Sequence, residues 1–208
     1  IENISPEVQI QAFGDSFPLQ NLVTYSQDNT PLITKVDPKF GPSIGGTTIR
    51  LTGQILTTNI NDVQVSIDGI VCQVTQVTDS EITCLSGALP LPSQRSDSPI
   101  GKIQVSIQNF GQAIISPDAK FLYVDSWSDL NTWGAQGLPL NGDNINVPKT
   151  MNLLVDISPP QLSGITVEGA LIFDDKSIVF DCDYIIVQNN GSLQIGTETD
   201  PIQTSVTL

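Results

Sequence analysis

Apolar and polar residues alternate in this chain over short stretches, and Gly, Pro or an Asx-Gly pair ends each stretch. Thr48-Ile-Arg-Leu-Thr52, Val63-Gln-Val-Ser-Ile67 and Ile103-Gln-Val-Ser-Ile107 all show a period of two. That period sends successive side chains to opposite faces of a pleated strand, so one face can be buried while the other stays wet. Asp68-Gly69 lies between Val63-Gln-Val-Ser-Ile67 and Ile70-Val-Cys-Gln-Val-Thr-Gln-Val77. An Asp-Gly pair between two such stretches is a tight-hairpin signal, because both residues tolerate positive φ. Asp79-Ser-Glu81 marks the next turn, and Ile82-Thr-Cys84 re-enters the sheet. Val, Ile, Leu and Thr are abundant, punctuated by 16 Gly and 14 Pro. This composition favours many short strands over helices, and no stretch combines helical periodicity with caps. The expected fold class is all-β.

The 208 residues are enough for two small domains. Residues 1–30 read as an extended N-terminal arm or linker. Within it Val8-Gln-Ile-Gln-Ala-Phe13 alternates like a half-buried strand limited by Pro6, Gly14 and Pro18, and Asn21-Leu-Val-Thr-Tyr25 is a candidate second strand. The arm is either the end of a preceding domain or a linker, or an assembly strand. In the latter case Val8, Ile10 and Phe13 would insert into the sheet of a neighbouring subunit. Residues 31–124 hold six to seven short strands and a Pro/Ser-rich loop from Gly87 to Pro99, closing with Lys120-Phe-Leu-Tyr-Val124. Strands at that spacing suit an immunoglobulin-like β-sandwich. Gly41-Pro-Ser-Ile-Gly-Gly46 lacks the Lys-Ser/Thr of a phosphate loop and reads as a backbone turn.

From residue 125 the pattern changes. Trp127 and Trp133 are followed by short apolar runs broken by Gly or Asn-Gly: Met151-Asn-Leu-Leu-Val-Asp156, Ile165-Thr-Val167, Leu171-Ile-Phe173, Tyr184-Ile-Ile-Val187 and Leu193-Gln-Ile195. Short strands with tight corners fit a glycine-punctuated β-solenoid or β-roll over residues 125–208. The two Trp are expected to cap an open end of its core, the alternative being a platform on which a sugar ring stacks.

Two family resemblances sharpen this reading. Pro31-Leu-Ile-Thr-Lys-Val-Asp-Pro38, Gly41 to Gly53, Val65-Ser-Ile-Asp-Gly-Ile-Val-Cys72, Ile82-Thr-Cys84 and Phe121-Leu-Tyr123 resemble the IPT/TIG family, the immunoglobulin-like domains of plexins and transcription factors. Trp133-Gly134, Gly142-Asp-Asn-Ile-Asn-Val-Pro148 and Gly191-Ser-Leu-Gln-Ile-Gly196 resemble the G8 (eight-glycine) domain. The resemblance implies a cell-surface setting of the fibrocystin type, in which the two modules are combined. The second module also occurs in extracellular hyaluronan-degrading proteins, but activity does not transfer with a module alone.

Charge and composition exclude several functions. There are 22 acidic and 8 basic residues, for a formal net charge of −14, which repels a phosphate backbone and argues against nucleic-acid binding. The chain has no His, so no Ser-His-Asp or Cys-His site can be built from it. Asp174, Asp175, Asp181 and Asp183 form the densest acidic cluster; they read as solvated turn residues, with oxygen coordination of Ca²⁺ as the alternative. No cofactor is otherwise expected. Cys72 and Cys84 flank a hairpin and read as a disulfide, or else as two buried thiols, and Cys182 reads as a buried small hydrophobe. Two N-glycosylation triplets occur, at Asn3 and Asn190. No apolar run can span a bilayer. Ile1 opens the chain without Met, as expected of a processed or excised piece of a secreted protein.

The function expected is an extracellular, non-enzymatic structural or adhesion module. Its sharper form is a repeating subunit of a surface filament that contacts copies of itself through the N-terminal arm, with glycans as further partners. The alternative is a ligand- or glycan-binding fragment of a receptor-type ectodomain.

Overall fold

The computed structural model describes residues 8–12, 15–19, 29–55, 57–198 and 201–208. Asn3, Phe13 and the candidate strand at residues 21–25 lie outside these. β1 (Val8–Ala12) and β2 (Asp15–Leu19) pair antiparallel, with Val8 opposite Leu19 and Ala12 opposite Asp15, as a two-stranded sheet of their own. The strand expected to seek a neighbour thus has β2 on one side, and a two-stranded sheet leaves its other edge open to a further strand.

The first domain is built from β3 (Leu32–Asp37), β4 (Phe40–Pro42), β5 (Thr48–Gln54), β6 (Val63–Ile67), β7 (Ile70–Val77), β8 (Glu81–Ser86), β9 (Ile103–Ile107), β10 (Gly111–Gln112) and β11 (Ile114–Ile115). Eight of them form one sheet in the order β10-β9-β6-β7-β8-β5-β3-β11. The register shifts at Ile33/Lys35 and at Val74/Gln76, and an interruption of that kind bends a strand and helps a long sheet curve around one core. The alternation of β5 buries Ile49 and Leu51 and leaves Thr48, Arg50 and Thr52 outside. These two pack with Ile33, Ile67, Ile82 and Val105. Each such side chain contributes about 1.5–3 kcal/mol when fully buried. Asp68 (φ 49°) and Gly69 (φ 81°) make the β6–β7 turn, as the Asp-Gly signal requires. The Asp68 carboxylate also accepts the N–H groups of Gly101 and Lys102, both at 3.0 Å, anchoring the start of β9.

β12 (Leu122–Ser126) leads into the second domain, where a one-turn helix α1 (Leu130–Trp133) is capped by the Asp129 side chain. Then follow β13 (Asn144–Val147), β14 (Asn152–Val155), β15 (Gly164–Val167), β16 (Ala170–Phe173), β17 (Ile178–Val179), β18 (Ile185–Val187), β19 (Ser192–Ile195) and β20 (Val206–Thr207). Here every lateral pairing is parallel: β13-β15-β18, β12-β14-β16-β19 and β17-β20. Successive turns of the chain thus stack on one another as a coil. Like residues stack on like. Ile145, Ile165 and Ile185 form one ladder, Val147, Val167 and Val187 a second, and Leu153, Leu171 and Leu193 a third. The middle members are fully buried, whereas Val187 and Leu193 on the last turn are 45% and 37% exposed.

The corners of the coil demand glycine. A Cβ on Gly169 would stand 2.2 Å from the Met151 carbonyl oxygen and 2.4 Å from that of Pro148. One on Gly191 would stand 2.3 Å from the Val167 oxygen. These contacts are with backbone of the turn below, so no side-chain rearrangement relieves them.

Candidate interaction site at the domain junction

The junction turns on β12, whose two halves belong to different partners. Leu122, Tyr123 and Val124 pair in parallel with Phe40, Gly41 and Pro42 of β4, while Asp125 and Ser126 pair with Leu153 and Leu154 of β14. One five-stranded sheet, β19-β16-β14-β12-β4, therefore runs from the second domain into the first. Val124, Leu154 and Ile172 form a small apolar cluster on that shared sheet.

A buried ion pair locks the crossing. Arg95, from the Pro/Ser-rich loop, donates from its two terminal nitrogens to the two carboxylate oxygens of Asp125 at 2.8 and 3.0 Å. The two side chains are only 5% and 2% exposed. The Ser43 hydroxyl also donates to Asp125. Arg95 Nε donates to the Pro90 carbonyl at 2.7 Å, and a terminal nitrogen reaches that of Thr150 at 3.4 Å. The rigid, planar fork of a guanidinium suits this work, since its donors lie in fixed directions. Asn152 adds a second clasp, donating from Nδ2 to the carbonyls of Pro99 (2.9 Å) and Tyr123 (3.0 Å). The Tyr123 hydroxyl donates to Gly87 O at 3.0 Å. Burial, with the nearby Asp68 charge adding to it, pushes this phenol up to about 12. The loop, β12 and β14 are thus tied at one point by groups from both domains.

Beside the junction lies a groove of about 810 Å³, bordered by Leu91, Arg95, Trp133, Leu138, Leu140 and Met151. Leu140 on its rim is 70% exposed. A second depression of about 750 Å³ lies on the β6–β7–β9 face of the first domain and is lined both by polar side chains, among them Gln64, Gln73 and Gln104, and by apolar ones, among them Ile60, Val71 and Val74.

The residues singled out by sequence are placed as follows. Cys72 and Cys84 are bonded, with 5.5 Å between their Cα atoms, and both are buried in the first core. Cys182 is free, half-buried and packed against the second core; burial, then the charges of Asp181 and Asp183, push its thiol up. Trp127 lies in the second core against Phe180, so no sugar ring can stack on it. Trp133 packs edge-on against Trp127 and donates Nε1–H to its carbonyl at 2.8 Å, reaching the groove with its remaining surface. Asp175 accepts from Thr204 Oγ1 at 2.9 Å and from the backbone N–H groups of Thr204 and Gln203. The Thr204 bonds, with Gln203 adding, hold its carboxyl below the usual range. Asp174 pairs with Lys176 at 2.7 Å. Among the described residues no group of three or more Cys, Asp or Glu gathers into a metal site. Asn190 is exposed on the β18–β19 turn. Arg95, Asp125, Asn152 and Ser43 carry no sequence signal, because the fold alone brings the loop, β12 and β14 together.

An immunoglobulin-like sandwich fused through one strand to a parallel β-coil defines the class of protein. Residues 31–123 match the IPT/TIG domain and residues 132–208 match the G8 domain, so the chain carries an IPT/TIG domain followed by a G8 domain. It is 36% identical to human fibrocystin-L over 181 residues, covering 86% of this chain and 4% of that protein. It is 29% identical to mouse fibrocystin over 154 residues, covering 73% of this chain and 4% of the relative. Among solved structures, the plexin A4 extracellular region aligns with 45% of this chain and 7% of its own at 25% identity, with a TM-score of 0.35. The chain thus spans about 4% of the length of the fibrocystin-type relatives it matches.

Proposed function

We propose that this chain is a rigid two-module segment of a receptor-type ectodomain at the cell surface, holding shape and offering contact surfaces. The observation that carries this reading is β12, hydrogen-bonded in one sheet to both domains and pinned by Arg95 and Asp125. A hinged pair of domains would be joined by an exposed linker with few contacts across it. Here the crossing is buried and bonded on both sides. Similarity to fibrocystin-L and fibrocystin supports the surface setting, and the buried disulfide suits an oxidising compartment. The non-enzymatic reading rests on the absence of His from the sequence and on the engagement of Asp174 and Asp175 in structural bonds. A repeating filament subunit draws less support, because similarity to fibrocystin-L and fibrocystin favours a surface segment and β1 has one partner, β2, in the same chain.

Small-angle scattering of the purified chain tests this. A single rigid shape that does not change with salt is expected, and a distribution of interdomain angles would refute it. Deleting residues 1–25 is expected to leave the sedimentation coefficient that of a folded monomer. Loss of a polymer on deletion would restore the filament reading. Turnover of hyaluronan by the intact chain would overturn the non-enzymatic one.

A further inference from the structure

We propose that Asn190 carries an N-linked oligosaccharide; the inference rests on the extracellular setting proposed above. Asn190-Gly191-Ser192 is one of two acceptor triplets in the chain, the other being at Asn3. It closes the turn between β18 and β19 on the last turn of the coil. Asn189 and Asn190 have φ of 52° and 67°, the left-handed region that Asn tolerates, and both are exposed. The inner side of this corner is closed, since Gly191 already lies against the Val167 carbonyl of the turn below. Asn189 commits its amide to Glu168 Oε1 at 2.9 Å, whereas Asn190 has no side-chain hydrogen bond among the described residues. Ser192 joins the sheet through its backbone N–H, which donates to Gly169 O at 2.8 Å, and its side chain stands exposed. The turn needs Asn-Asn-Gly for its backbone and places no demand on residue 192. A hydroxyl there supplies the second recognition element of an acceptor, next to an amide that the fold leaves free.

The chemistry is group transfer from a lipid-pyrophosphate-linked oligosaccharide by a secretory-pathway transferase. A bond forms between Asn190 Nδ2 and the anomeric carbon, and the anomeric C–O bond breaks. The lipid pyrophosphate leaves with the bonding pair, and the Nδ2 proton passes to a base on the transferase.

The test is to express the 208-residue chain behind a secretion signal in a eukaryotic host. Residue 190 is then read by peptide mass spectrometry before and after peptide-N-glycosidase, which converts an occupied Asn to Asp. Occupancy is expected in the parent and in Ser192→Thr, with loss of one glycan band in Ser192→Ala. Ser192 is exposed, so neither change threatens the fold. A secreted, folded chain with residue 190 unmodified, and the same mobility for parent and Ser192→Ala, overturns the inference. Forced entry into the secretory route separates this result from the natural setting. The setting is read by antibody labelling of intact cells making the natural protein, where a purely internal signal would refute the ectodomain reading alone.

Discussion

Replacing Arg95 by Met would leave the Asp125 carboxylate buried with the Ser43 hydroxyl as its remaining side-chain donor. The two lost hydrogen bonds are 2.8 and 3.0 Å long, between side chains 5% and 2% exposed. Breaking a buried pair by removing one member typically costs about 3–5 kcal/mol, against about 0–1 for an exposed pair. Ser43 still donates to the orphaned carboxylate, so the lower end, about 3 kcal/mol, is expected. That is about two decades in the folded-to-unfolded ratio. Replacing both members, Arg95→Met with Asp125→Leu, should restore most of the loss, because a well-packed apolar pair is often as stable as the ion pair it replaces. Urea unfolding followed by Trp fluorescence, which reports the second domain, and by far-ultraviolet circular dichroism, which reports both, gives the midpoint and slope for the four proteins of this cycle. One cooperative transition is expected, since the strand that is broken belongs to both domains. A loss below about 1 kcal/mol for the single variant, or a double variant that costs the sum of the singles, would refute the claim that the junction is held by a desolvated pair.

Three further outcomes follow from the same structure. Gly169→Ala places a methyl against two backbone oxygens and should cost about 1–3 kcal/mol in urea unfolding; an unchanged midpoint would disprove the close corner. Replacing Cys72 and Cys84 together by Ala, or reducing the chain, should cost about 2–3 kcal/mol by freeing a short loop in the unfolded state, and added reductant should not alter the double variant's midpoint. Tyr123 holds its proton more tightly folded than unfolded, so stability is intact below the ordinary tyrosine value of about 10 and is lost as pH climbs from there towards about 12. Ultraviolet titration should show a late phenolate step that Tyr123→Phe removes, along with that part of the alkaline loss.

The hairpins of the first domain were legible because each is local: alternation fixes the strand faces, and Asp68-Gly69 fixes the β6–β7 turn. The strand at Val8 was legible too, but its partner within the chain was not. β1 pairs with β2, which includes Pro18 and so read as a limit to the strand, not as part of one. The coil of the second domain was legible only as short strands and corners. Its ladders were there to be read, as Ile145, Ile165 and Ile185 recur every 20 residues. The neighbouring face conceals the repeat, because Asn152, Ala170 and Ser192 are stacked at intervals of 18 and 22. Loops of unequal length absorb the difference, so no single period emerges from the sequence. The acidic cluster shows the reverse limit. Asp174 and Asp175 adjoin in sequence yet serve different partners, Lys176 and the Gln203–Thr204 backbone, so nearness along the chain did not tell what each carboxylate does. The junction was illegible for a simpler reason: Arg95 and Asp125 become partners only once both domains have folded.

A strand held by two sheets also sets what can be moved between proteins. In this chain, cutting after Val124 would divide a strand and strip Leu154 and Ile172 of a packing neighbour. The same cut would leave the Arg95 guanidinium in the first piece without its counter-ion. Recombination that transplants either half of this chain alone must therefore repair a wound in both.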